Sequence, residues 1–337
     1  MSATIEQPFA AWRIHARAQP FRAGVEQLSL NDLSAGEVVI KAAWSSVNYK
    51  DALAGTNRGR ILREPSLVGG IDVAGYVVAS DDPRFGEGDS VLVTGCGLSE
   101  TRDGGYAQYV RLAADDVVPL PAGLSLREAM ALGTAGFTAG LALKRMLDNG
   151  QSPEMGPIVV TGASGGVGSL ALDIFTRAGF EMHAISGKPE QFEYLRALGA
   201  KQCVSRHGLY FGQRPLESTT WAGAVDNVGG DVLAGLTRVI KPYGSIAVCG
   251  LAGGDELHTT VMPFIIRGVS LLGIASSGTP YPIRRTLWER LATDWRPAHL
   301  DRIITAEVTL DELPEVFARM LGGGSLGRTV VRLGDDH

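Results

Sequence analysis

The sequence predicts an α/β protein in two parts, a mostly β domain and a doubly wound one, on three observations. Residues 12–110 are dominated by short β-like runs cut by glycine and aspartate turns. Beyond residue 158, strand-like and helix-like segments alternate. Where the two regimes meet, the apolar run Ile158–Thr161 enters a glycine-rich turn, Gly162–Gly168, and the apolar segment Ser169–Phe175 leaves it without a breaker. This third pattern reads as strand, phosphate loop and helix.

Gly162, Gly165 and Gly168 keep the period of the dinucleotide fingerprint, with the usual second glycine displaced by one residue. Such a loop needs a tight turn, a backbone that can approach a pyrophosphate, and a helix packed closely on its strand. The helix N-terminus then offers free N–H groups and a positive dipole end to the phosphates. A glycine-rich turn that binds nothing has the same letters, so the surroundings must decide.

A chain of 337 residues suits two domains, and 45% hydrophobic with 20% charged residues is an ordinary globular composition. A net charge of −5 supplies no general basic field, which argues against nucleic acid as a partner. No apolar run approaches the ~20 residues that span a bilayer, and Met1–Pro8 lacks a signal pattern, so no membrane and a cytoplasmic location are expected. Cys96, Cys203 and Cys249 are odd in number and form no C-x-x-C. Cys203 and Cys249 lie in apolar runs and read as buried, inert thiols.

Along the chain, Val38–Trp44 is the clearest early strand, and Asn48–Gly55 reads as a short helix with polar groups at its start. Strands are expected at 70–79, 89–94 and 106–110. Ser125 and Glu128 form a capping box ahead of a helix over 134–146. After the glycine loop, strands near 181–185, 202–204, 223–226, 244–249 and 269–273 alternate with helices at 190–198 and 231–240. With Ile158–Thr161 they make about six strands, the count of a doubly wound dinucleotide domain. The last two strands, at 304–308 and 328–332, find no place there and are expected to return to the first domain. The expected division is 1–132 joined by 302–337, and 133–301.

An NAD site places a carboxylate about 20 residues past the first glycine, at the end of the second strand. Here the strand ends in Ser186, Gly187 and Lys188, and Arg206 follows the third strand. A hydroxyl, an open backbone and two cations suit a 2′-phosphate, so NADPH is the expected cofactor.

Asn48–Asp51 (NYKD), Gly133–Ala139 (GTAGFTA) and the glycine loop resemble the medium-chain dehydrogenase/reductase superfamily. Trp44–Asp51, Asp82–Phe85, Gly250–Gly254 and Thr260–Phe264 resemble its zinc-free branch, acrylyl-CoA reductase, also called the YhdH/AcuI-type quinone oxidoreductase. The likeness runs over nearly the whole chain. It implies a doubly wound Rossmann domain, a GroES-like mostly β catalytic domain and an active site between them. NADPH would deliver hydride to the β-carbon of acryloyl-CoA. Cofactor contacts carried over by the resemblance are Tyr49, Thr134, Ser164, Gly165, Gly166, Val167, Ser186, Gly187, Lys188, Arg206, Leu251, Ile265 and Ser276. Gly322–Arg328 departs from the pattern, since relatives carry bulkier polar residues there.

Zinc-dependent relatives need a cysteine and a His-Glu pair, whereas the corresponding stretches here, Trp44–Val47 and Gly70–Val73, hold neither cysteine nor histidine. No metal is expected. Tyr49 is the candidate to orient the nicotinamide or donate a proton, Asn48 a donor, and Asp51 a catalytic carboxylate that holds the local geometry, weighed against a merely helix-capping or structural one. Arg284, Arg285 and Arg296 are weighed as phosphate contacts for coenzyme A against solvated helix faces. Reduction of quinones or enones, and a non-catalytic NADPH-binding protein, are the competing readings. A homodimer pairing through the strand at 269–273 is also expected.

Overall fold

The computed structural model describes residues 7–334. The N-terminal stretch read above for a signal pattern falls largely outside them. The chain divides into two compact units. The first runs through Thr134 and takes in Ser277–Ala292 and everything from Ile304 on; the second is Ala135–Ser276 with Thr293–Ile303.

The first unit opens with β1 (Phe9–His15) and β2 (Arg22–Leu28), an antiparallel pair, then β3 (Val38–Ser46) and helix α1 (Tyr49–Gly55). β4 (Leu67–Val68), β5 (Asp72–Ser80), β6 (Ser90–Thr94), β7 (Tyr109–Leu112) and β8 (Val118–Pro119) follow. Helix α2 (Leu126–Asp148) starts from the expected capping box, with Ser125 N–H donating to the Glu128 carboxylate at 2.9 Å.

The second unit carries β9 (Ile158–Thr161), α3 (Gly166–Arg177), β10 (Met182–Ser186), α4 (Phe192–Ala197), β11 (Ala200–Ser205), β12 (Trp221–Asp226), α5 (Gly230–Val239), β13 (Ile240–Val248), α6 (Met262–Arg267) and β14 (Ser270–Gly273). Helices α7 (Tyr281–Ala292) and α8 (Leu300–Ile303) lead to β15 (Ile304–Val308), α9 (Leu313–Leu321) and β16 (Arg328–Arg332).

The second unit's sheet is parallel, in the order β11-β10-β9-β12-β13-β14. That is the doubly wound arrangement, with its switch point between β9 and β12. Both central strands are buried along their whole length, which is why they read as continuous apolar runs. α3 buries every residue from Gly168 to Phe175, so Ser169–Phe175 has no polar face to betray helical period.

In the first unit the sheet order is β15-β16-β3-β5-β6-β8, with β7 also on β3, and β16 pairs antiparallel to β3 (Val330 opposite Ser46). The chain's last strand therefore lies beside the strand that feeds α1. The core of this unit gathers Trp12, Tyr106 and Phe317, with the Trp12 and Phe317 rings 5.3 Å apart edge to face.

One segment groups differently from the expected division. Residues 277–292 were expected in the nucleotide domain, yet they belong to the first unit. The cause is Arg284, 2% exposed, whose guanidinium donates to the Thr94 carbonyl (2.7 Å) and the Ser277 carbonyl (3.1 Å). An arginine so enclosed is no phosphate contact, which removes it as a coenzyme A candidate; Arg285 pairs with Glu289 on its own helix. Residues 293–303 stay with the second unit, where the buried Asp173 carboxylate accepts the N–H groups of Ala298 (3.0 Å) and His299 (2.7 Å). Cys203 and Cys249 are partly rather than fully buried residues, although burial raises both thiol pKa values.

Candidate functional site

In the second unit the glycine loop joins β9 to α3. Gly162 sits at φ +58°, Gly165 precedes the first helical turn, and that turn is Gly166, Val167 and Gly168. A Cβ on Gly168 would lie 2.4 Å from the Gly162 carbonyl oxygen and 2.7 Å from Ala163 Cα. No side chain fits, so α3 packs directly on its loop, and its first-turn amides, which no carbonyl within the helix can accept, are the natural donors to an anion. The cradle fits a dinucleotide pyrophosphate. Gly168→Ala should push helix and loop apart, costing about 1–3 kcal/mol and weakening NADPH binding. Thermal unfolding and cofactor titration would check this, and an unchanged dissociation constant would count against the cradle.

Five of the expected cofactor residues converge at the end of β10. The Ser164 and Ser186 hydroxyls are 3.1 Å apart. Ser186 Oγ also accepts the Lys188 backbone N–H at 3.1 Å, and the Ser186 carbonyl accepts that of Arg206 at 2.8 Å. The Arg206 guanidinium lies against Gly187: a Cβ there would fall 3.0 Å from Arg206 Nη2, closer than ordinary van der Waals contact. Burial lowers the Lys188 pKa from the usual lysine range. His207, which the sequence reading passed over, joins this collar through its Nε2 and the Gly187 carbonyl, 3.3 Å apart. Leu251 and Ile265 are well exposed, on the connection between β13 and β14, and Ser276 follows β14.

The first unit holds a second polar assembly, built around Asp72 at the start of β5. Asp72 is fully buried, and its carboxylate accepts four hydrogen bonds: from Ser46 Oγ (2.6 Å), Asn48 Nδ2 (2.8 Å), Thr134 N–H (2.9 Å) and Thr134 Oγ1 (2.6 Å). Arg328, the first residue of β16 and also buried, stands 3.9 Å from it. Its guanidinium donates to the Ala131 carbonyl (2.9 Å), the Val47 carbonyl (3.0 Å), Asn48 Oδ1 (3.1 Å) and Ser46 Oγ (2.7 Å). Gly133 makes room for the meeting. It kinks α2 at φ +50°, ψ −154°, and a Cβ there would fall 2.5 Å from Asp72 Oδ2.

Asn48, Tyr49, Asp51 and Thr134 are placed by this assembly. Asn48 is bound at both ends of its amide, to Asp72 and to Arg328. Asp51 is 1% exposed, and its two oxygens accept the N–H groups of Asn48 (2.8 Å) and Ile71 (2.9 Å). Asp51 forms the capping box that starts α1. Burial, and then the neighbouring Asp72 carboxylate, push the Asp51 carboxyl up to about 7 against the pull of those amides. Tyr49, next in the chain after Asn48, is 43% exposed. Asp72, Ser46 and Arg328 were missed as a group. Their only sequence signal is a charge inside an apolar strand, at Ile71–Ala74 and at Arg328–Val331.

The donor set around Asp72 does not suit a catalytic zinc. It contains two hydroxyls and two amides already donating to the carboxylate, and a guanidinium where a metal would meet its charge.

A doubly wound unit with a phosphate cradle, in one chain with a β unit that buries a polar hub, defines a dinucleotide-dependent dehydrogenase or reductase. Two family models match: an alcohol dehydrogenase GroES-like domain over residues 34–122 and a zinc-binding dehydrogenase over 166–293. The chain is 48% identical to the acrylyl-CoA reductase AcuI of Ruegeria pomeroyi, over 92% of this chain and 94% of that protein. It is 46% identical to the putative quinone oxidoreductase YhfP of Bacillus subtilis, over 96% and 99%; the YhfP structure, with NAD bound, superposes with a TM-score of 0.93. The YhdH oxidoreductase of Salmonella enterica in complex with NADP is 44% identical, covers 96% of this chain and all of that one, and superposes with a TM-score of 0.92. The chain belongs to the medium-chain dehydrogenase/reductase superfamily, in the branch of the AcuI, YhdH and YhfP oxidoreductases.

Proposed function

We propose that this chain is an NADPH-dependent reductase of the carbon–carbon double bond of an α,β-unsaturated acyl-CoA, converting acryloyl-CoA to propanoyl-CoA without a metal. The observation that carries this reading is the collar of Ser164, Ser186, Lys188 and Arg206 beside the glycine cradle, in a chain nearly half identical to an acrylyl-CoA reductase. Bound NADPH supplies a hydride to the β-carbon, and a proton taken up at the α-carbon completes the product.

The chain's own residues bind, orient and protonate. Charge builds on the thioester oxygen as the hydride arrives, so fixed donors near that oxygen lower the barrier most. Tyr49, exposed and carried on a helix whose first turn is locked by Asn48 and Asp51, orients the nicotinamide or delivers the proton. Thr134 meets the cofactor from the kink of α2. Leu251, Ile265 and Ser276 complete the cofactor contacts. The protein works as a cytoplasmic homodimer paired through β14, the edge strand of the parallel sheet. Among the described residues no helix is long and apolar enough to cross a membrane.

The name of the YhfP relative favours quinone reduction as a second reading. NADPH oxidation should be followed with a panel of enoyl-CoA thioesters and small quinones. Acryloyl-CoA is expected to give the highest kcat/KM; a quinone that exceeds it moves the assignment to the second reading. Tyr49→Phe is expected to lower kcat about 10²-fold or more, in the range of a lost acid–base or orienting group. Unchanged turnover and cofactor affinity would remove Tyr49 from the mechanism.

A further inference from the structure

Arg328 lies 279 residues along the chain from Tyr49 and touches no surface, yet its hydrogen bonds end on the residues that launch α1. Nη1 holds both the Val47 carbonyl and Asn48 Oδ1, the two groups immediately before Tyr49. Nη2 holds Ser46 Oγ, and Nε holds the Ala131 carbonyl, two residues ahead of the Gly133 kink that delivers Thr134 to Asp72. One planar group on β16 thus ties together the end of β3 with the start of α1 and the first part of α2. An ammonium could supply the charge but not this fork, because only a guanidinium presents donors in several fixed directions at once. The neighbours agree with such a role. Asn48 can neither rotate nor flip its amide without losing Asp72 on one side or Arg328 on the other.

We infer that Arg328 is a positioning residue for Tyr49. Through Asn48 it sets the direction in which α1 begins, and so the place of the phenol. This rests on the assignment of Tyr49 to the reaction made above. It is separate from the general stability that a buried ion pair confers, because Arg328→Lys keeps the charge beside Asp72 and removes the fork.

The test is a double-mutant cycle on the full-length protein, with kcat and KM measured per folded molecule for Arg328→Lys, Tyr49→Phe and the pair. Arg328→Lys is expected to lower kcat about 10-fold or more with KM for the acceptor little changed, as for a group displaced from its working geometry. In the Tyr49→Phe background the lysine substitution should cost little further, since both changes disable one device. Additive losses, or an Arg328→Lys enzyme as fast as the parent, would overturn the inference. Tyr49→Phe with full activity would instead overturn the assignment of Tyr49.

A readout independent of turnover uses 3-fluorotyrosine-labelled protein, with the Tyr49 resonance identified by its loss in Tyr49→Phe. In Arg328→Lys that ¹⁹F line should shift or broaden while the other tyrosine lines hold. An unmoved Tyr49 line contradicts the inference even if no acceptor is reduced. Should Arg328→Lys fail to fold, Asn48→Ala cuts the same link at its other end and keeps both charges of the buried pair in place. The same shift of the Tyr49 line and the same non-additivity with Tyr49→Phe are expected of it, and their absence is equally decisive.

Discussion

Replacing Arg328 with methionine should destabilise the protein by about 3–5 kcal/mol, the cost of breaking a buried ion pair by removing one partner. Methionine fills much of the volume, so the loss is electrostatic more than a cavity effect. Four acceptors lose their donor at once: the Ala131 and Val47 carbonyls, Asn48 Oδ1 and Ser46 Oγ. Two buried carboxyls, Asp72 and Asp51, also lose the cation that burial alone would disfavour but that they hold in its charged form.

The pH dependence has a definite sign. The Asp51 carboxyl is already pushed up to about 7, above its range in the unfolded chain, and losing the nearby guanidinium pushes it up further. A carboxyl raised in this way keeps its proton longer in the folded state, so its contribution is intact at low pH and is lost as pH rises through the folded value. The gap between Arg328→Met and the parent should therefore widen from pH 5 to pH 8, measured by denaturant unfolding. A gap that narrows over this range would mean the guanidinium does not serve the carboxylates. Asp72→Asn in the methionine background should recover part of the loss at the higher pH.

Much of this architecture could be read from residues alone, and the parts that could not share a physical cause. The parallel sheet announces itself because Ile158–Thr161, Met182–Ser186 and Trp221–Asp226 are short apolar strands separated by helices with clear starts and stops. The collar at the end of β10 was legible because Ser186, Lys188 and Arg206 stand at strand ends, where a local rule ties position to ligand. The hub around Asp72 was not, since it is assembled by β16 crossing to β3 and by a kink in α2, contacts with sequence separations that no local pattern encodes. Arg284 misled for the same reason. On α7 it looks like one more helical surface cation, and only its carbonyl partners at Thr94 and Ser277 reveal that it is buried. Helix α6 also escaped notice, its six residues being too few for a period to show.

Arg206→Ala should reduce affinity for NADPH by about 10–100-fold while leaving NADH within about twofold, the effect of removing one charge-assisted contact to a phosphate. The expectation follows from the geometry of the collar. The Arg206 backbone is pinned to Ser186 and its guanidinium lies over Gly187, so the side chain's charge is held at the end of β10 rather than spread through solvent. Lys188 is tied by its own N–H to Ser186 Oγ on the adjacent turn. NADH lacks the 2′-phosphate, so neither cation has anything to hold in it, and a loss confined to NADPH marks contact with that group. Equal losses for both cofactors would instead show that Arg206 supports the loop. The measurement carries weight because two relatives of nearly equal similarity differ: the YhdH structure holds NADP and the YhfP structure holds NAD. Since no carboxylate stands at the end of β10 to engage the ribose hydroxyls, the parent should prefer NADPH, and Lys188→Ala combined with Arg206→Ala should abolish that preference without making a good NADH enzyme. Gaining one would require an acidic side chain in place of Ser186 or Gly187, where the same strand end would turn from attracting a phosphate to repelling it.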